Sequence, residues 1–164
     1  MMLFMQGTRS TALGTDARGS VPDVNYFRRE RDGFVISTDP NALDANAVFE
    51  FLAQAKWWND LTRESMDRAL RNSICFSLFE ADKQIGLARV ITDCVTYAYL
   101  CDVFITEDRR GLGLGSWLIR CVLDHPELKD LKRVALITHD VQAFYLGLDF
   151  RFAACPECYM ERLR

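Results

Sequence analysis

Apolar positions along this chain follow two different periods, and the changes of period divide it into elements. Ala45, Val48, Phe49, Leu52 and Ala53 recur at i, i+3, i+4, i+7 and i+8, the stripe of one helical face. With Asp39 as N-cap and Pro40 at the first helical position, the stripe predicts a helix over 40–56. Met66, Ala69 and Leu70 predict a second, shorter helix over 63–71. Leu114, Trp117, Leu118, Cys121 and Val122 repeat the helical spacing, and His125-Pro126 ends it.

Elsewhere the pattern reads as strand. Residues 34–37 predict a first strand, and three apolar runs, 74–79, 85–92 and 97–105, follow one another with short polar links between them. Links of that length join antiparallel neighbours, so these three form a meander. Residues 133–138 are almost continuously apolar, as expected of a central strand covered on both faces. A short helix over 141–148, capped by Asp140, and a last strand over 159–163 complete the chain. The order β-α-α-β-β-β-α-β-α-β predicts an α+β fold: a mixed, mostly antiparallel central sheet of six to seven strands between about four helices.

Composition narrows the setting. The chain has 164 residues, enough for one domain with a substantial core, and is 49% hydrophobic and 26% charged, as soluble globular proteins are. Residues 1–24 are poor in periodic apolar positions and are expected to be a disordered leader, leaving a single domain over 25–164. No stretch reaches the roughly 18 apolar residues that cross a bilayer. A net charge of −3 provides no general attraction to nucleic acid. The expectation is a cytoplasmic protein acting on small molecules, monomeric or homodimeric, with no membrane or nucleic-acid partner. Most of the six cysteines fall in apolar segments, which suits a reducing compartment. Cys155 and Cys158 have C-x-x-C spacing but no second pair of ligands, so no metal is expected.

The chemistry-bearing segment lies between the strand over 97–105 and the helix after it, where Arg110-Gly111-Leu112-Gly113-Leu114-Gly115 is followed by Ser116. Glycine permits positive φ and close approach of the backbone, and the first N–H groups of a helix point outward with partial positive charge. A pyrophosphate is the natural guest. Rival motifs fit less well, since no Gly-Lys-Ser/Thr follows and Gly-x-Gly-x-x-Gly lacks its third glycine.

The stretch from Asp102 through Gly115 resembles the acetyl-coenzyme A motif of the GNAT superfamily of N-acetyltransferases, whose core reads Arg/Gln-x-x-Gly-x-Gly/Ala; Arg110, Gly113 and Gly115 match it. The likeness extends from about Gly33 to the end of the chain and includes the aromatic pair Phe144-Tyr145. It implies a GNAT-like fold and direct transfer of acetyl from acetyl-coenzyme A, without a metal, to a primary amine of a small molecule or peptide. Arg110, Gly111, Leu112, Gly113, Leu114, Gly115 and Ser116 would bind the pyrophosphate through backbone N–H groups. Val103, Phe104 and Ile105, on a strand that splays from its neighbour, would hold the pantetheine arm, and one of their N–H groups would face the oxyanion.

The same resemblance makes Tyr145 the proton donor to the departing thiolate and puts Asp140 beside the cofactor arm. Asp102 is the first candidate for the base, directly or through water; Glu107 and His139 are secondary. Relatives continue from the tyrosine into a Gly-Phe turn, whereas this chain has Leu148-Asp149-Phe150. Asp tolerates a left-handed φ, so the turn is expected to survive. Cys101 is rejected as a nucleophile because an apolar strand and an adjacent carboxylate disfavour the thiolate. Trp57, Trp58, Tyr97 and Tyr99 would line the acceptor pocket, with Asp60 and Glu64 drawing in a cation. The alternative is a non-catalytic sensor of acyl-coenzyme A.

Overall fold

The computed structural model describes residues 26–55, 58 and 62–162. The predicted leader, Trp57 and Asp60 lie outside the described residues. Six strands form one sheet in sequence order: β1 (Arg28–Arg31), β2 (Phe34–Ser37), β3 (Ile74–Glu80), β4 (Lys83–Thr92), β5 (Tyr97–Ile105) and β6 (Arg133–Ala135). The first five pair antiparallel, and β5 with β6 is parallel. Helices α1 (Ala45–Leu52) and α2 (Arg63–Arg71) cover one face; α3 (Leu114–Leu123) and α4 (Gln142–Leu146) cover the other.

The meander follows the predicted pattern, but β1 was not predicted. Its sequence Arg-Arg-Glu-Arg has no apolar alternation, so burial could not reveal it. The turn could: Asp32 and Gly33 both take positive φ, 50° and 83°, as an Asp-Gly hairpin of type I′ requires.

Helix α1 starts later than the expected 40–56. Asp39 closes a local turn by accepting from the Asn41 N–H at 2.8 Å, while Asp44 caps the helix by accepting from Asn46 and Ala47 at 2.9 and 3.1 Å. Asp44 wins because its own N–H is anchored on β4 by Gln84 Oε1, 2.8 Å away. Likewise α4 begins at Gln142 with no side-chain cap, so Asp140 is not one.

Two expected strands change. Residues 133–138 have the composition of a central strand, yet β6 is three residues long and occupies an edge of the sheet. Its pairing with β5 stops at Tyr99↔Ala135, so Leu136 and Ile137 continue without a ladder. Tyr159 to Arg162 belong to no strand; the chain before them makes a short 3-10 turn, Pro156–Cys158.

The core has two compartments. Between the sheet and α3/α4 lie Ile36, Phe76, Leu78, Val90, Leu100, Leu118 and Ile119, all at or below 2% exposure. Between the sheet and α1/α2 lie Val48, Leu52, Met66, Leu70, Leu87 and Phe104.

Candidate functional site

Strand β5 is where the two compartments meet, because its facing reverses partway along. Leu87 pairs with Phe104 but Arg89 pairs with Cys101, so Asp102 and Val103 together stand opposite Ala88. This is a β-bulge, and its first residue, Asp102, has a left-handed φ of 49°. Before the bulge Ala98 and Leu100 pack toward α3; after it Val103 and Ile105 do, and Phe104 turns to the α1/α2 side. There its ring stacks on Phe51 with centroids 3.8 Å apart.

The bulge needs room on β4, and Gly86 provides it. A Cβ there would come within 2.8 Å of both the Phe104 carbonyl oxygen and Ile105 Cδ1. Glycine inside a strand often marks such a close backbone approach, so the sequence did carry a signal for it.

On its other edge β5 loses its neighbour. Beyond Tyr99 no strand pairs with that edge among the described residues. The opening between β5 and β6 therefore leaves that edge of β5 without a ladder from Leu100 to Ile105.

At its end the opening reaches the glycine loop. A turn of 3-10 helix, Glu107–Arg109, carries the chain from β5 into it, and Arg109 ties that turn to β3 through Glu80 at 2.8 Å. Gly111 and Gly113 have φ of 81° and 72°. A side chain at either would be strained though nothing stands within 4 Å of its Cβ position, so glycine is required by conformation, not crowding. Gly113 is the N-cap of α3 and no side chain caps that end. Trp117 N–H is the first to find a loop carbonyl, Gly113 at 3.1 Å. The N–H groups of Leu114, Gly115 and Ser116 thus point outward with the positive end of the helix dipole. Arg110 folds its guanidinium back, Nε donating to the Ile105 carbonyl at 3.1 Å, and so joins the loop to the end of β5.

Helix α4 closes the same end. Phe144 lies 3.5 Å from the Cβ position of Gly115 and sets α4 against the first turn of α3. Tyr145 is 9% exposed, with Phe144 and Phe150 edge-on at 4.9 and 5.5 Å between ring centroids. Burial pushes its phenol up to about 12, so it holds its proton throughout the neutral range. The turn after α4 forms as expected. Asp149 takes φ 65°, and the Phe150 N–H reaches the Tyr145 carbonyl at 3.2 Å, one bond of a Schellman closure.

On the α1/α2 side of the bulge the chemistry is ionic. Asp102 Oδ2 accepts from Arg89 Nε at 2.6 Å, and its Oδ1 accepts from the Trp58 indole N–H at 2.7 Å. Arg89 Nη1 also donates to Ser73 Oγ at 3.0 Å. Arg89 went unremarked in the sequence, although a lone charge inside the apolar run 85–91 already asks for a buried partner. Cys75 and Cys101 flank this pair, and burial pushes both thiols up to about 12, which keeps Cys101 a thiol.

The remaining candidates are dispersed. Tyr97 is 40% exposed and Tyr99 half-buried, both on the α1/α2 side before the bulge; burial raises the Tyr99 phenol. Glu107 and His139 are exposed, as are Asp140 and Glu64. Glu107 faces Arg110 at 3.5 Å. Cys155 and Cys158 are joined by a disulfide, while Cys75, Cys94, Cys101 and Cys121 are free. Among the described residues no helix is long and apolar enough to cross a membrane.

Comparison with known proteins agrees with this architecture. Residues 43–150 match the family model described as acetyltransferase (GNAT) family. A provisionally named acetyltransferase of Gibberella zeae is 34% identical over 131 residues, 67% of this chain and 74% of that protein. A solved structure from Xanthomonas campestris pv. campestris, assigned provisionally as a GNAT-family acetyltransferase, is 36% identical with a TM-score of 0.77, covering 80% of this chain and 93% of that one. Glucosamine-6-phosphate N-acetyltransferase from Arabidopsis thaliana shares the fold at 18% identity and a TM-score of 0.58, over 79% of this chain and 97% of its own. A bulged strand parted from its neighbour, an uncapped glycine-led helix and a family match across both lead to one conclusion: this chain belongs to the GNAT family of acetyltransferases.

Proposed function

We propose that the protein transfers acetyl from acetyl-coenzyme A to a primary amine of a small molecule or peptide, by direct attack with both substrates bound. The observation that carries this reading is the continuity of the split beside Val103 to Ile105 with the outward N–H groups of Leu114, Gly115 and Ser116. A pyrophosphate suits those N–H groups, and an extended amide-bearing arm suits an unpaired strand edge. A GNAT-family protein from Elizabethkingia anophelis, similar in fold at 16% identity and a TM-score of 0.52 over 73% of this chain and 74% of its own, was solved with acetyl-coenzyme A bound.

Acetyl-coenzyme A supplies an activated acetyl thioester, and this chain's residues do the rest. The loop from Arg110 to Gly115 and Ser116 hold the phosphates, with Asp140 near the arm. A backbone N–H at the bulge faces the thioester oxygen and stabilises the charge that develops there. Tyr145, a neutral phenol, donates its proton to the leaving sulfur. Asp102 stands at the acceptor side and takes the amine's proton through an intervening water, since both its oxygens already accept hydrogen bonds from protein. Trp58, Tyr97 and Tyr99 line the acceptor's approach.

The alternative is a non-catalytic sensor of acyl-coenzyme A, which would keep the glycine loop without a working acid and base. A thermal-shift comparison of acetyl-coenzyme A, coenzyme A, ATP and NAD tests the donor: stabilisation by the first two is expected, and its absence overturns the reading. Thiol release across a panel of amines then tests catalysis.

A further inference from the structure

Arg89 and Asp102 are the charged pair that the transfer reaction, as read so far, does not fully use. Their side chains are 9% and 3% exposed, and removing two charges from water is costly even when they meet. A β-branched residue would fill the Arg89 position on a strand that had only to be a strand.

What the pair touches explains its presence. Arg89 reaches Ser73, just past the end of α2, at 3.0 Å and Asp102 at 2.6 Å; Asp102 in turn receives Trp58, between α1 and α2, at 2.7 Å. Three separate pieces of chain therefore meet at one guanidinium–carboxylate unit: the end of α2, the link that carries Trp58, and the bulge. The bulge also departs from ordinary strand backbone, with Asp102 at φ 49°, and its carboxylate is held there by Arg89 and Trp58.

We propose that Arg89 is a positioning residue for acetyl transfer. Through Asp102 it fixes the direction of the Val103 N–H at the mouth of the split, and through Asp102 and Trp58 it holds the acceptor wall in register with that N–H. The inference rests on the reading that Val103 to Ile105 hold the thioester arm, and it adds that donor and acceptor sides are aligned by one shared side chain.

The experiment compares Arg89→Lys, Trp58→Phe, the two combined, and Arg89→Met/Asp102→Asn, which removes both charges together and so avoids a lone buried ion. In the free protein, Arg89→Lys is expected to speed exchange of the Trp58 amide, which donates to the Ala55 carbonyl, by about tenfold while α3 stays protected. With acetyl-coenzyme A and the amine giving most thiol release in the screen, kcat should fall by about 100-fold, the scale of an ångström misplacement. The KM for acetyl-coenzyme A should stay within about threefold, and the Arg89→Lys and Trp58→Phe losses should be strongly non-additive. The neutral double variant should fold, bind coenzyme A and show the same faster exchange at Trp58. Independent losses for Arg89 and Trp58, or an unchanged kcat in Arg89→Lys, each overturn the proposal. Wild-type protein that releases no thiol with any amine overturns the transfer reading and this inference together, whereas active wild type with an equally active Arg89→Lys overturns this inference alone.

Discussion

The two faces of the sheet are held together by different means, although the same strands form both. Toward α3 and α4 the interior is apolar apart from His125 and the Tyr145 phenol, and the remaining polar groups are backbone N–H groups at the start of α3. Toward α1 and α2 the interior holds a buried ion pair, a serine hydroxyl and an indole joined by hydrogen bonds. Backbone donors are specified by conformation, so the direction of these N–H groups depends on glycine geometry more than on any one side chain. The second face depends on the identity of each side chain, because an orphaned partner would remain buried and charged.

Mutations can break this contrast from either side. The largest effect is expected from Asp102→Ala, which leaves Arg89 buried without its carboxylate and should cost about 3–5 kcal/mol in denaturant-monitored unfolding. Little loss there would mean that the ionic face is as tolerant as the apolar one. Next comes Tyr145→Phe, which preserves the packing with Phe144 and Phe150 and should lower kcat by about 100-fold with coenzyme A affinity nearly unchanged. A change in affinity alone would make the phenol a packing group.

Gly113→Ala should cost about 1–2 kcal/mol through its positive φ and weaken coenzyme A in titration calorimetry, while unfolding still occurs in one transition. Full affinity in that variant would separate the loop's conformation from anion binding. The smallest expected effect is a pH dependence on the α3 side. His125 is 9% exposed between the Phe27 and Phe76 rings, at 5.1 and 5.3 Å between centroids, and burial lowers its pKa. The unfolded chain then protonates first, so this contribution is complete above the unfolded value of about 6.5 and fades as pH falls below it. His125→Phe should flatten the decline in Tm between about pH 7 and pH 5.

How far each feature could be read in advance depended on how local its cause is. The glycine loop was legible because positive φ at Gly111 and Gly113 is a property of those residues themselves, and α3 because its apolar period is strong. The tyrosine turn was legible for the same reason, through the tolerance of Asp149 for φ 65°. Asp39 and Asp44 offer equivalent local caps, and only the distant Gln84 decided between them. The run 133–138 looks central by composition, but the splaying of β5 leaves it too little strand to pair with.

The bulge shows the limit most clearly. Period-two alternation predicts Asp102 and Phe104 on one face with Ala98 and Leu100; one extra residue opposite Ala88 sends Phe104 to the other. Nothing in the order of residues along β5 declares that reversal. It comes from space left by Gly86 on a neighbouring strand and from an ion pair whose members are thirteen residues apart. Sequence alone determined the types of the elements from β2 to α4, the helix start that can receive an anion, and the family resemblance, because each is encoded within a few consecutive residues. Tertiary structure decided where β5 reverses its facing, how it parts from β6, and which charges meet beneath α1 and α2, because contacts between distant segments set all three.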